Sequence, residues 1–455
     1  MAEGKTMRSA EFRRNTWTEF SDQRLIGMPV ILGAMFLLAF LFNGRLLDGH
    51  TGTVASYAFI VLIFIWGTRL AAESVVTEVN DRTWDLQRMS AISAWDMAWG
   101  KLFGATAFAW YGALICLGFY AVSYDIIMPF GTVLTAVSLY IGAGVLAHSI
   151  CLILSLQAIQ RRREFGRIQV VSYQFLGLLC AIPPLYAGLS GYGEDGQFSV
   201  TTWYGEPVAL SHFMLAALSA FVFWALLGVY ALIRIELQQK QGPWLWWGFV
   251  AFCMIFFAGL RYMPWGLPAF LTPLPGAATV ALVIAILATY VIALGEPKQR
   301  VRFRRIGHYW HTREWGHVLQ LAPRSVLTLP LVIAAAFVTG ALTDVTRVQG
   351  ATDVLTVRLA IVATVLFVIR DVGVIYVLSL GRSDGRGDSH AFLYLILLYT
   401  AIPALFSTLK LTPLLPFFWP QWGEGPMLAV LPPLLEVAIV IFYLRRRWRD
   451  MDVEE

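Results

Sequence analysis

Long apolar stretches recur along this chain between shorter polar intervals, and their length is the first thing that identifies them. An α-helix rises 1.5 Å per residue, so about 20 apolar residues span the hydrocarbon of a bilayer. Runs of that kind fall at 26–43, 54–72, 102–123, 131–156, 168–188, 210–233, 244–260, 272–294, 325–343, 355–372, 390–409 and 426–444. The pattern predicts an all-α polytopic integral membrane protein with about twelve transmembrane helices. Pro273 and Pro275 blur the start of the eighth run, and Pro183–Pro184 are expected to kink or stop the fifth. Residues 1–24 are polar and charged, so the run at 26–43 reads as a retained span rather than a cleaved leader. Polar, Trp-containing stretches at Asn15–Arg24 and His308–Arg324 precede spans and read as helices lying in the membrane surface.

Composition agrees with the pattern. The chain is 58% hydrophobic and 14% charged, with a mean hydropathy of +0.65; soluble domains carry about 25% charged residues. The net charge of +5 takes its meaning from placement. Arg13–Arg14, Arg161–Arg163, Arg445–Arg447 and the 295–324 loop (Lys298, Arg300, Arg302, Arg304, Arg305, Arg313, Arg324) all fall on one side of the predicted topology. Arg45, Arg261, Arg347 and Lys410 fall on the other. Basic loops stay in the cytoplasm, so both termini are expected there, with lipid headgroups rather than nucleic acid as the partners of the excess charge. Trp244, Trp246, Trp247, Trp419 and Trp422 fit an interfacial belt. Cys116, Cys151, Cys180 and Cys253 lie inside apolar runs without metal spacing and read as small buried hydrophobes.

The chain also reads as two unequal copies of one plan. Pro29 precedes Arg69 by the distance that separates Pro330 from Arg370, and a polar surface segment comes before each proline. This divides the sequence into a first half at 1–240 with six spans, two bridging spans and a basic loop at 241–307, and a degenerate second half at 308–455 with four spans. Internal repeats are common in transporters. The stretch from Arg370 to His390, with Gly381, Gly385 and Gly387, reads as a loop.

The interval from Glu73 to Lys101 is the most informative. Glu78, Asp81, Arg82, Asp85 and Arg88 recur every three or four positions, with Val79, Trp84, Leu86 and Met89 between them. A water-exposed helix docked on something fits that spacing, and so does an ordinary amphipathic connector. This interval resembles the region after the second span of ABC-2 permeases, the membrane subunits of one class of ATP-binding-cassette exporters. The matching residues are Asp81–Arg82–Thr83, Asp85–Leu86, the small-residue break Ser90–Ala91–Ile92–Ser93, and Gly100–Lys101 opening the third span. Arg82 stands where the family has Gly, and Ala91 where it has Pro. The surface helix before the first span, the basic loop after the fourth and the 189–208 loop add to the likeness, which covers about 1–240.

What the resemblance implies is a coupling helix seated in a separate ATPase subunit, with Glu78, Asp81, Arg82, Thr83, Trp84, Asp85, Leu86, Arg88, Gly100 and Lys101 carrying the contact. Charged residues would set register, and Trp84 and Trp95 would supply anchoring area. It further implies a permease of the bacterial cytoplasmic (inner) membrane, with ATP and Mg²⁺ on the partner subunit and no cofactor of its own. A second permease copy or other membrane subunits would complete the complex.

The sequence contains no GxxxxGK[ST], HExxH or GxSxG, so phosphate cradling and the commonest hydrolytic centres are not expected on this chain. His308, His311 and His317 fit no standard metal spacing. His148 and Glu436 lie inside apolar runs; buried ionisable groups are costly in lipid and mark either a pathway or an interhelical hydrogen bond. If they titrate during a cycle, the alternative function is a proton- or ion-coupled secondary transporter. A membrane scaffold in a larger complex is the other alternative.

Overall fold

The structure is a computed structural model that describes residues 10–43, 49–90, 92–125, 128–160, 167–191, 199–260, 276–342, 354–380, 387–420 and 426–453. Ala91, the Arg161–Arg163 cluster, Pro273, Pro275, Gly381, Gly385 and Trp422 lie outside the described residues. Eleven helices among those described are long and apolar enough to cross a membrane, and Trp244–Gly259 is a shorter apolar helix. The protein is therefore an all-α polytopic membrane protein. Apolar side chains point outward along the spans, as at Leu37, Leu38, Leu41 and Phe42. Lipid accepts such groups, and helices satisfy their own backbone there.

The chain forms two compact units, one from 1–201 with 207–241, the other from 202–206 with 242–455. The first begins with a short polar helix, α1 (Ala10–Glu19), followed by α2 (Asp22–Asn43). The next span is α3 (Gly49–Ile60), a π-helical stretch at Val61–Gly67 and α4 (Thr68–Asn80), one continuous helix of 32 residues. After α5 (Trp84–Arg88), α6 (Ala94–Trp99) and a second π stretch at Gly100–Gly104 come α7 (Ala107–Asp125) and α8 (Phe130–Gln160). Then follow α9 (Arg167–Ser190) and, after the strands β1 (Val200–Trp203) and β2 (Glu206–Ala209), of which residues 202–206 belong to the second unit, α10 (Leu210–Glu236). The centre of this unit is α8, which packs against α4, α9 and α10. Small residues allow the approach: Ala143 and Ala147 are fully buried, and a Cβ on Gly144 would meet Ile63 and Trp110 within 3 Å. In lipid, packing of this kind replaces the hydrophobic effect as the force between helices.

The second unit contains α11 (Trp244–Gly259) and α12 (Ala277–Gly295), then the surface helices α13 (Arg300–His311) and α14 (Trp315–Leu321). The spans α15 (Arg324–Leu342) and α16 (Val354–Leu380) follow. A further span is built from α17 (Gly387–Tyr399) and α18 (Ala401–Thr408), and a 3₁₀ turn at Thr412–Phe417 leads to α19 (Pro426–Val453). Glu296 ties the surface helices to the spans: it accepts from Arg302 at 2.7 Å and from the backbone N–H of Arg324 at 2.8 Å.

Several sequence expectations are corrected. Both prolines at 183–184 sit inside α9, which runs on to Ser190; in a span, neighbouring helices can take over the freed backbone groups. The polar helix before the first span is Ala10–Glu19 rather than 15–24, and the basic 295–324 loop is mostly helical. Cys116 and Cys151 are buried, but Cys180 faces outward from α9. The Arg370–His390 loop is instead helix as far as Leu380. Arg69 and Arg370 do not share an environment. Arg69 is exposed and pairs with Glu73 at 3.0 Å, whereas Arg370 is buried within α16.

Candidate functional site

In the first unit the site is the segment that leaves α4 and returns through α7. Helix α4 ends at Asn80 in a Schellman motif. The N–H of Thr83 reaches Glu78 O at 2.9 Å, and that of Arg82 reaches Val79 O at 3.1 Å. The motif needs its C′ residue in the left-handed region, where glycine is the usual occupant; here it is Arg82, with φ of 59°. The chain therefore turns sharply before α5, and one amphipathic helix becomes two pieces.

Asp81, Arg82, Thr83, Asp85 and Leu86 face outward, and Leu86 and Met89 are 67% and 77% exposed. The opposite side of α5 is anchored. Trp84 is 4% exposed and packs among Val75, Met97, Leu102 and Val229, which corrects the expectation that it offers anchoring area to a partner. A helix of five residues has no period from which its inward face could be read. Trp95 and Trp99 are accessible. Arg88 donates to the backbone carbonyl of Glu236 at 2.9 Å, tying α5 to the end of α10, and also meets Asp85 at 3.3 Å.

Behind this surface lies an ionic clasp. The ammonium of Lys101, 1% exposed, sits between Glu78 and Glu11, 3.0 Å from the latter, and faces the Trp84 ring at 5.7 Å. Arg14 joins both carboxylates, at 2.8 Å from Glu11. Asn15 donates to the carbonyl of Gly100 at 3.0 Å. A Cβ on Gly100 would lie 2.5 Å from Glu11 Cγ, and one on Gly104 would lie 3.1 Å from Asn15 Cβ. The two glycines, four apart, thus make the groove in which α1 lies. Gly100 and Lys101 hold α1 rather than face outward. Sequence reading missed Glu11 and Arg14 because their partners are remote in the chain.

His148, 1% exposed, places Nε2 3.0 Å from Ile63 O, a carbonyl within the π-helical stretch of the second span. In such a stretch backbone bonds run i→i+5; Ile63 O accepts the N–H of Thr68 in that way, and His148 is its second partner. Gly67 leaves room for the ring, since a Cβ there would lie 2.5 Å from Nε2. The imidazole and the Trp110 ring meet in a T-shaped arrangement at 5.6 Å between ring centres. These contacts describe an interhelical hydrogen bond between α8 and the second span.

In the second unit Glu436 belongs to a charged cluster. Arg370 directs Nη1 to Glu436 at 2.5 Å and to Phe417 O at 3.2 Å, Nη2 to Tyr399 Oη at 2.9 Å, and Nε to Asp371 at 2.8 Å. Asp371, fully buried, accepts from the hydroxyls of Tyr290 and Tyr399, each at 2.5 Å. The face of α16 that carries Arg370 also carries Gly373, where a Cβ would overlap Val440 on α19. Close backbone approach and the Arg370–Glu436 pair therefore fasten α16 to α19 over adjacent turns. Sequence reading placed Arg370 at a span end; the signal it passed over is the apolar run VGVIYVLSL that continues to Leu380.

His317 pairs with Glu314 at 3.0 Å and stacks on Tyr309, and His308 meets the same tyrosine ring at 5.6 Å between ring centres. No protein-family model matches this chain, and neither the curated proteins nor the solved structures contain a significant match.

Proposed function

We propose that the chain is the membrane subunit of an ATP-binding-cassette exporter, driven by a separate ATPase that seats on the segment around α5. One observation carries the reading: a short helix and the turns that flank it present Asp81, Arg82, Asp85, Leu86 and Met89 outward while the other side of the helix is fixed to three spans. Trp84 and Arg88 anchor it to the α10 side, and Glu78–Lys101 joins the end of α4 to the start of the α7 span. A docked subunit that pushes on this helix moves spans, because little slack lies between them. The left-handed Arg82 adds support, since it occupies the position of the ABC-2 glycine and adopts a glycine conformation. In this reading the segment and both termini face the cytoplasm of a bacterial inner membrane, and ATP and Mg²⁺ bind the partner.

Reversing three exposed charges (Asp81→Arg, Arg82→Glu, Asp85→Arg) tests it. Binding of the copurifying ATPase should weaken about tenfold or more, which corresponds to roughly 1.4 kcal/mol, and transport should fall with it. The membrane protein itself should keep its melting temperature, because exposed ion pairs are worth about 0–1 kcal/mol. Unchanged ATPase binding and transport in the triple variant would refute the docking site.

Orientation has its own test. A cysteine at Ser90 should react with an impermeant maleimide only in inside-out vesicles, and one at Glu206 only in right-side-out vesicles. Both positions are exposed. The reverse pattern removes the cytoplasmic docking surface altogether.

A further inference from the structure

The cluster around Arg370 has unequal charge. One guanidinium faces two carboxylates, Asp371 and Glu436, inside membrane-spanning helices. An unbalanced charge there is expensive, so a cluster drawn with both acids ionised needs one more positive charge. The hydrogen bonds show which acid can take it. Asp371 receives Arg370 on one oxygen and two tyrosine hydroxyls on the other, so all its partners donate to it and it serves as the carboxylate. Every N–H of Arg370 is engaged. Glu436 meets Arg370 through Oε2 alone, and Oε1 has no hydrogen bond among the described residues. Its side chain is 22% exposed, so it is the less enclosed of the two acids.

We propose that Glu436 is a proton-binding site within the membrane, carrying the proton on the oxygen that Arg370 does not touch. Uptake converts the carboxylate and a hydronium ion into a carboxylic acid and water, and brings the cluster to zero net charge. Oε2 continues to accept from Arg370 as a carbonyl oxygen, so the α16–α19 contact survives in both states but is weaker in the neutral one. The groups facing the site are Arg370 and Asp371 on α16, with Tyr290 from α12 and Tyr399 from the end of α17 behind them. The 3₁₀ turn contributes the Phe417 carbonyl. Helix α13 reaches α19 farther along, where Phe303 and Gly307 pack on Trp448. The site stands independently of the ATPase reading.

Infrared spectra of the full-length protein in lipid nanodiscs, recorded across a pH titration, test the site. Wild type should show a protonated-carboxyl stretch at neutral pH that bleaches on alkalinisation, and Glu436→Gln should lack it. If Glu436→Gln fails to elute as a monodisperse species, Glu436→Asp carries the test. That carboxyl is one methylene shorter, sits farther from Arg370, and must titrate with a displaced midpoint. A band that persists in Glu436→Gln, or keeps its midpoint in Glu436→Asp, overturns the proposal, as does a wild-type protein with no such band at neutral pH.

Discussion

Arg370→Gln is expected to lower stability by about 3–5 kcal/mol, the cost of leaving the buried Asp371 carboxylate without its cation. Asp371 is fully buried and has no second cation among its partners. Purified protein should melt at a markedly lower temperature and lose monodispersity in detergent. The paired variant Arg370→Gln/Asp371→Asn should recover much of the loss, because removing both charges leaves hydrogen-bonding groups of similar shape. Arg69→Gln is the control. Its pair with Glu73 is an exposed i,i+4 contact, worth about 0.3–0.5 kcal/mol. Equal melting temperatures for Arg370→Gln and Arg69→Gln would show that the buried cluster contributes nothing. The two arginines stand the same distance after a proline, so the comparison also separates sequence spacing from physical environment.

That contrast marks where the sequence could be read. Spans were legible because hydrocarbon thickness fixes helix length, and the apolar runs report length directly. Helix ends were not, because turns beyond the hydrocarbon carry polar residues without a hydropathy signal; α4 continues through Glu78 to Asn80. Arg370–Asp371 was passed over because adjacent opposite charges in an apolar run look like its end, while burial depends on Tyr290, Tyr399 and Glu436 from three other helices. The exposed residues of α5 were legible in kind, since charges at Asp81, Arg82 and Asp85 seek water. The inward turn of Trp84 and the use of Gly100–Lys101 as a seat for α1 depend on tertiary packing. Glu11 and Lys101 find each other only when α1 folds back on the start of the α7 span.

Lys101→Met should therefore have an effect out of proportion to a single surface-proximal lysine. Its ammonium is almost wholly buried between Glu11 and Glu78, and without it those carboxylates share only Arg14. Breaking a buried pair in this way costs on the order of 3 kcal/mol. The loss falls on α1, which has few other fastenings: the groove at Gly100 and Gly104, and the Asn15 bond to Gly100 O. Hydrogen–deuterium exchange should show Ala10–Glu19 opening, with amide protection reduced, while α8 keeps its protection. Lys101→Met/Glu11→Gln should restore protection, since one acid then remains for Arg14 and Gln still accepts from Asn15. The outer surface of α5 is untouched by these changes, so under the proposed function the ATPase should still bind. Transport under that proposal should nevertheless fall, because the join between α4 and the α7 span has been loosened. Charge reversal at Asp81, Arg82 and Asp85 should instead lose binding and transport together. Unaltered exchange over Ala10–Glu19 in Lys101→Met would mean that the clasp does not hold α1, and unaltered transport would mean that it does not carry the motion.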